Sequence, residues 1–269
     1  MKCAVLGSPI AHSRSPQLHQ AGYAFLGLDW TYICDEVSAG GLETYLAKLN
    51  SEWAGLSLTM PLKEEGLRLA HWADALALRV GGANTLVQES GNWNAYNTDV
   101  SGFAQILERY QGLSQVSILG GGATARAALA ALSTENCHVT VYLRSAHRSE
   151  SIYRAFGNSV ERITLRDWSE RREALLDPLL ISTTPSGASD DLALHVQDSS
   201  AEVTTQLFID ALYGNWPTPL ASAFMVKGRA VVSGKTLLVY QAVEQLRLMT
   251  GLDFDKGAMA EELFKAVEK

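Results

Sequence analysis

The run Val116-Ser117-Ile118-Leu119 passes into Gly120-Gly121-Gly122-Ala123-Thr124-Ala125, then into an alanine-rich segment reaching Leu132, and then into His138-Val139-Thr140-Val141-Tyr142-Leu143. That order predicts strand, turn, helix, strand. The turn has the form G-x-G-x-x-A, in which Gly120 permits a sharp turn, Gly122 lets backbone approach a pyrophosphate, and Ala125 lets helix pack on strand. Phosphates would then sit on the free amides at the helix start. A plain glycine-rich turn is the alternative; the strand before it and the strong helix formers after it favour a dinucleotide site.

A carboxylate about 20 positions past such glycines holds a ribose through its free hydroxyls. Here Arg144 follows the second strand instead, with Ser145, His147 and Arg148 close by. Cations and hydroxyls suit a ribose phosphate, and no acid repels it, so the loop favours NADP over NAD. A solvated basic loop is the alternative.

The chain has 269 residues, 47% apolar and 19% charged, which suits two globular domains. Its net charge of -7 speaks against a nucleic-acid polyanion as partner. The N-terminal apolar run is short for a signal peptide and no charge-free stretch reaches membrane-spanning length, so a cytoplasmic protein is expected. Cys3, Cys34 and Cys137 are widely spaced beside apolar runs, a pattern of buried thiols rather than of disulfides or a metal site.

Patterning predicts strands at 3–7, 31–37 and 55–59, helices at 16–27, 41–49 and 62–70, and a hairpin over 83–95 around Ser90-Gly91-Asn92. A helix over 102–110 leads into the glycine-turn strand. Further strands are expected at 178–183, 207–210 and 230–232, with a long helix over 237–250. Residues 158–173 read as a cover on the outer face of the second domain, and 186–205 as a loop or marginal helix. Alternating strands and helices imply mainly parallel sheets, hence two α/β domains flanking a cleft, the second a Rossmann-type dinucleotide-binding domain.

In open α/β sheets ligands bind beyond the carboxyl ends of strands. Polar clusters occur at four such places. Ser13 and Ser15, within Ser8-Pro9-Ile10-Ala11-His12-Ser13-Arg14-Ser15-Pro16, lie at a helix opening and can donate to an anion, or cap the helix. Lys63, in Ser57-Leu58-Thr59-Met60-Pro61-Leu62-Lys63, falls in the first turn of a helix, where a cation opposes the helix dipole. That suits a group exchanging a proton, and a surface lysine is the alternative. Gly82-Ala83-Asn84-Thr85 and Tyr96-Asn97-Thr98-Asp99-Val100-Ser101-Gly102 add an amide and a carboxylate. Asp99 is either a helix N-cap or the partner of Lys63, and such a pair suits hydride transfer at an alcohol carbon, whose oxygen must gain or lose a proton.

In its order of motifs, over nearly its whole length, the chain resembles the shikimate dehydrogenase family. The segments 7–16, Thr59-Met60-Pro61-Leu62-Lys63, Asn84-Thr85 and Asn97-Thr98-Asp99 carry the likeness, with Thr183-Thr184-Pro185, Asp210-Ala211-Leu212-Tyr213, Pro217-Thr218-Pro219-Leu220 and Gly234 through Gln241-Ala242. The resemblance implies NADP-dependent, metal-free, reversible reduction of 3-dehydroshikimate to shikimate in aromatic amino acid biosynthesis. By the same resemblance Lys63 handles the proton and Asp99 orients it, while Thr59, Asn84 and Gln241 bind ring hydroxyls. Ser13, Ser15 and Tyr213 meet the carboxylate, and Gly120 to Ala125, Arg144, Ser145, Arg148, Thr183, Thr184, Pro185 and Gly234 hold the cofactor. It also implies a discontinuous substrate domain, residues 1–100 plus 236–269, around an NADP domain at 101–235. A small-molecule substrate is the expected partner, with a homodimer allowed, and with neither nucleic acid nor membrane.

Two positions depart from the family's pattern: Ser57 and Ser182 stand where asparagine is usual, which shortens the side chain so that a substrate contact is lost or passed to water. Two rival readings stay open. One is an NAD-using relative that accepts quinate, against which Arg144 weighs; the other is a catalytically silent binder of NADP or a shikimate-like acid, against which the pair Lys63 and Asp99 weighs.

Overall fold

Short apolar runs rich in β-branched and leucine residues alternate with segments of helical spacing, and the chain folds accordingly into α/β layers. A computed structural model describes residues 1–110, 112, 114–157, 160–198 and 200–268. Two compact units result, one formed by Met1–Phe103 with Leu238–Lys269, the other by Ala104–Leu237.

The first unit runs β1 (Lys2–Gly7), α1 (Ser15–Phe25), β2 (Thr31–Glu36), α2 (Leu42–Leu46), β3 (Trp53–Leu58), α3 (Lys63–Leu69), β4 (Trp72–Ala73), α4 (Ala75–Val80), β5 (Thr85–Glu89), β6 (Asn92–Tyr96) and α5 (Thr98–Leu107). Its sheet has the order β2-β1-β3-β5-β6-β4. Strands β2 and β3 flank β1 in parallel, β5 reverses against β3, and β6 reverses again. The reversal is a two-residue turn in which Ser90 and Gly91 both take positive φ, 51° and 82°, the geometry that matches strand twist in tight hairpins. Two reversals return β6 to the direction of β1 and β3, so all three end at one edge. On one face Leu6, Leu56, Leu58, Leu62 and Leu86 form the core.

The second unit runs β7 (Gln115–Leu119), α6 (Ala123–Leu132), β8 (His138–Leu143), α7 (Ser149–Ala155), β9 (Ile163–Asp167), β10 (Leu179–Ser182), α8 (Leu192–Gln197), β11 (Leu207–Asp210), α9 (Pro219–Val226) and β12 (Ala230–Val232). Every pairing is parallel and the order is β12-β11-β10-β7-β8-β9. Counted from β7, that is the doubly wound 3-2-1-4-5-6 order, which reverses between β7 and β10. Leu119, Leu180, Phe208 and Phe224 lie in its core, the two rings stacked 5.0 Å apart.

The chain then returns through α10 (Gly234–Thr250) and α11 (Lys256–Glu268). Helix α10 lies close over the first sheet: a methyl group at Gly55 would stand 2.4 Å from Met249 Cγ, and one at Gly22 of α1 would stand 2.4 Å from Leu246 Cδ1.

Several expectations need correction. Helix α5 begins at Thr98 rather than 102, because Asn97 breaks the strand and the helix opens at once. Helix α10 begins at Gly234. The 163–167 part of the supposed outer cover is the edge strand β9, followed by 3-10 turns over Trp168–Leu176; Asn158 and Ser159 lie outside the described residues. Within 186–205, α8 forms, and Ser199 lies outside the described residues. Cys3 and Cys137 are buried as expected, but Cys34 is exposed, because β2 is an edge strand with one face open to solvent.

Candidate active site

The polar clusters of the first unit meet where β1, β3 and β6 end. Backbone bonds lock the loops together there: Thr59 N–H donates to the Leu6 carbonyl (2.9 Å), Ser8 N–H to Met60 (3.0 Å) and Leu58 N–H to Asn84 (2.7 Å). Gly7 is required at this crossing, since a Cβ would stand 2.4 Å from Thr59 Cγ2 and 2.8 Å from the Met60 carbonyl. Leu62 N–H closes a turn onto the Thr59 carbonyl at 2.8 Å, which sets Lys63 as the first residue of α3. The Lys63 carbonyl in turn receives Ala83 N–H at 2.8 Å, tying the lysine to the segment that carries Asn84.

Lys63 Nζ donates to Asp99 Oδ2 at 2.6 Å, with the side chains 15% and 9% exposed. The other carboxylate oxygen, Oδ1, accepts from Asn84 Nδ2 at 2.9 Å. Asp99 is therefore no N-cap. It sits inside the first turn of α5, where the helix dipole favours an anion, and offsets the cation that α3 carries at its own start. Asn84 Nδ2 also donates to Thr98 Oγ1 at 2.9 Å and approaches Gln241 Oε1 at 3.4 Å. Gln241 Nε2 donates to the Leu238 carbonyl at 2.8 Å. The structure thus brings Lys63, Asn84, Asp99 and Gln241 into one hydrogen-bonded set. A lysine has three donor protons, and Asp99 engages one, so the pair can hold and exchange a proton at a bound oxygen.

Ser15, buried, is the first residue of α1, and its N–H donates to Ser13 Oγ at 3.3 Å. Thr59 is half-buried just after β3.

Sequence reasoning passed over a second polar layer beneath this set. Gln245 Nε2 donates to the Asn84 carbonyl at 3.1 Å and to Thr85 Oγ1 at 2.9 Å, while its Oε1 accepts from Ser57 Oγ at 2.9 Å and from His19 Nε2 at 3.1 Å. Tyr32 OH donates to Ser57 Oγ at 2.6 Å. Ser57 is buried, and its hydroxyl is engaged on both sides. It is held between the Tyr32 hydroxyl and the Gln245 side-chain oxygen. The signal was there: Gln245 lies one helical turn beyond Gln241 on the same face.

In the second unit the glycine loop lies at the reversal between β7 and β10. Gly120 has φ of 105°, and a Cβ there would stand 2.8 Å from Thr183 Oγ1. Thr183 itself is fixed by two bonds to the Leu119 carbonyl, from N–H at 3.0 Å and from Oγ1 at 2.8 Å. Gly121 packs on Leu143, whereas a Cβ at Gly122 would meet nothing within 4 Å. Gly122 is the N-cap of α6 and no side chain caps that helix, so open space adjoins uncapped amides. The site thus fits a dinucleotide pyrophosphate. Arg144 and Ser145 follow β8, exposed, and Arg148 Nη1 donates to the Gly121 carbonyl at 3.2 Å. Ser182 is buried against Thr184, 3.2 Å between hydroxyls. Pro185 is exposed beyond them, and Tyr213 lies half-buried after β11, in this unit rather than with Ser13 and Ser15. Gly234 meets backbone directly: a Cβ would stand 2.3 Å from the Ala211 carbonyl.

Residues 5–86 match the family profile of the shikimate dehydrogenase substrate binding domain. A shikimate dehydrogenase (NADP(+)) of Paramagnetospirillum magneticum is 34% identical over 248 residues, covering 89% of this chain and 88% of the relative. The chain belongs to the shikimate dehydrogenase family. Among solved structures, the shikimate dehydrogenase of Mycobacterium tuberculosis superposes with a TM-score of 0.87 at 36% identity, over 97% of this chain and 99% of that one. The Thermus thermophilus shikimate 5-dehydrogenase, solved in complex with NADP(H) and shikimate, gives 0.81 at 28% identity over 99% of both chains. Membership of the shikimate dehydrogenase family accounts for both units, the mixed sheet that carries Lys63 and the doubly wound sheet that carries the glycine loop. Among the described residues no cluster of three or more His, Cys, Asp or Glu offers a metal site, and no helix is long and apolar enough to cross a membrane.

Proposed function

We propose that this protein catalyses the NADP-dependent, reversible reduction of 3-dehydroshikimate to shikimate in aromatic amino acid biosynthesis. The observation that carries the reading is the Lys63–Asp99 pair, 2.6 Å apart and steadied by Asn84, in a chain of this family. The first unit is the substrate domain and the second the NADP domain. NADP, when bound, supplies or accepts the hydride at the reacting carbon. Lys63 Nζ gives a proton to the developing alkoxide in reduction and takes it back in oxidation, and Asp99 holds Nζ in place through both. Thr59, Asn84 and Gln241 line the ring hydroxyls, and Ser13 and Ser15 receive the substrate carboxylate. Gly120 to Ala125 hold the pyrophosphate, Arg144, Ser145 and Arg148 the ribose phosphate, and Thr183, Thr184, Pro185 and Gly234 border the cofactor. The protein works in the cytoplasm on a small molecule, without metal, nucleic acid or membrane, alone or as a homodimer.

The test is the initial rate of nicotinamide reduction with shikimate or quinate, each with NADP and with NAD. Shikimate with NADP is expected to be the productive pair, and turnover confined to quinate with NAD would replace this reading with that of the NAD-using relative that accepts quinate. Lys63→Ala should lower kcat by roughly 100-fold or more with little change in KM. An unchanged kcat would remove Lys63 from the chemistry, and a wild-type protein that binds shikimate without turnover would make it a silent binder.

A further inference from the structure

The hydrogen bonds beneath the Lys63–Asp99 pair have one consistent direction, set from Gln245 on one side and from the Thr98 N–H on the other. The Asn84 carbonyl can only accept, so Gln245 must present its NH2 group there, which leaves Oε1 to the donors Ser57 and His19. Because Gln245 Nε2 also donates to Thr85 Oγ1, the Thr85 hydroxyl proton is left for Asn84 Oδ1, 2.9 Å away. Thr98 N–H, which can only donate, reaches the same Oδ1 at 2.8 Å. With its oxygen so engaged, Asn84 presents Nδ2 to Asp99. The reverse orientation would set the Asn84 oxygen against a carboxylate oxygen and its NH2 against an N–H, leaving buried polar groups unpaired.

We propose that Gln245 is a positioning residue for the catalytic pair: acting through Thr85 and Asn84, it fixes the donor face on which Asp99, and hence Lys63, rests. Gln245 is 1% exposed, and its four hydrogen bonds go to His19, Ser57, Asn84 and Thr85, none to Lys63 or Asp99. Its partners also span the fold: His19 comes from α1, Ser57 from β3, and Thr85 from β5. The carboxamide therefore keys the pair to the core of the substrate unit. This assignment rests on the shikimate dehydrogenase reading of the same site.

The experiment compares Gln245→Met, which keeps length and loses every hydrogen bond, with Thr85→Val, which keeps shape and loses only the hydroxyl, and with Thr85→Ser, which retains it. Shikimate oxidation with NADP and the side-chain amide NMR signals of Asn84 are read for each. Both Gln245→Met and Thr85→Val should lower kcat roughly tenfold or more while shikimate KM stays within about threefold, and both should shift the Asn84 signals. Thr85→Ser should restore kcat. Val243→Ala, a cavity in the same helix away from the chain of hydrogen bonds, should lower thermal stability without changing kcat or those signals. If Gln245→Met and Thr85→Val lose stability but keep wild-type kcat and Asn84 signals, the role is overturned; should Gln245→Met not fold, Thr85→Val decides alone. A wild-type protein inactive on shikimate would overturn the functional reading, and the Asn84 signals would still decide the positioning.

Discussion

His19 is fully buried, its ring stacked on Tyr32 at 4.1 Å, with Nε2 on Gln245 and Nδ1 without a hydrogen-bond partner. Since the Gln245 oxygen only accepts, Nε2 carries the proton and the imidazole is neutral. Burial pushes its pKa down to about 4, the bond to Gln245 opposing this in part. The unfolded chain therefore binds a proton that the folded chain refuses between about pH 6.5 and 4, so stability falls as pH falls through that window and levels off below it. The full loss is about 3 kcal/mol, at about 1.4 kcal/mol per unit. Urea midpoints measured from pH 7 to 4 should show this slope, and His19→Gln should lack it; a slope unchanged in the variant would assign it elsewhere. At this scale Lys63 and Asp99 were legible because proline and the helix starts after strand ends give their positions away. Gln245 and His19 were not, because a polar residue inside an apolar pattern announces burial without naming its partner.

Among the elements, the glycine turn is the most constrained. Gly120→Ala would place a Cβ on a backbone with φ of 105° and 2.8 Å from Thr183 Oγ1, which costs about 1–3 kcal/mol of strain and disturbs the loop at the end of β7. The variant should melt lower and bind NADP more weakly, while keeping its affinity for shikimate; calorimetric titration of both ligands checks this, and an unaffected NADP affinity would count against the phosphate role of the loop. The longer apolar strands and the helices before and after the glycine turn were readable from periodicity. Short elements were harder. Helix α4 has six residues, too few for a periodic signal, although its ends carry one: the Asp74 side chain accepts from Ala77 N–H at 2.6 Å, and Gly81 ends the helix at φ of 68°. Helix α9 likewise opens on Thr218, whose hydroxyl accepts from Ala221 N–H at 3.2 Å, with Pro219 next. Edge strand β9 hides because it ends on the exposed Arg166 and Asp167 and pairs on one side only.

For the molecule as a whole, the decisive feature is that its first unit is assembled from both ends of the sequence. Helix α11 buries Met259, Ala260, Leu263 and Val267 and packs against α1, while Gln17 of α1 donates to the Ala266 carbonyl at 2.5 Å. Leu263→Ala should cost about 2–5 kcal/mol in chemical denaturation. The loss belongs to the unit that carries Lys63, so hydrogen exchange should quicken in β1, β3 and α1 and stay slow in β7 and β10; equal quickening in both sheets would mean that the two units unfold as one. Two α/β units could be read from the alternation of strands and helices, but that α10 and α11 rejoin the opening strands follows from packing such as Gly22 on Leu246, which no local pattern encodes. The same interleaving sets an order in time. On the ribosome the stretch Ala104–Leu237 is complete before Gln241 and Gln245 have been made, so the second unit can fold as it emerges. Lys63 and Asp99, translated far earlier, wait for the last helices before their surroundings exist, and a chain whose synthesis stops short of α10 carries this ion pair without the Gln241 and Gln245 that border it.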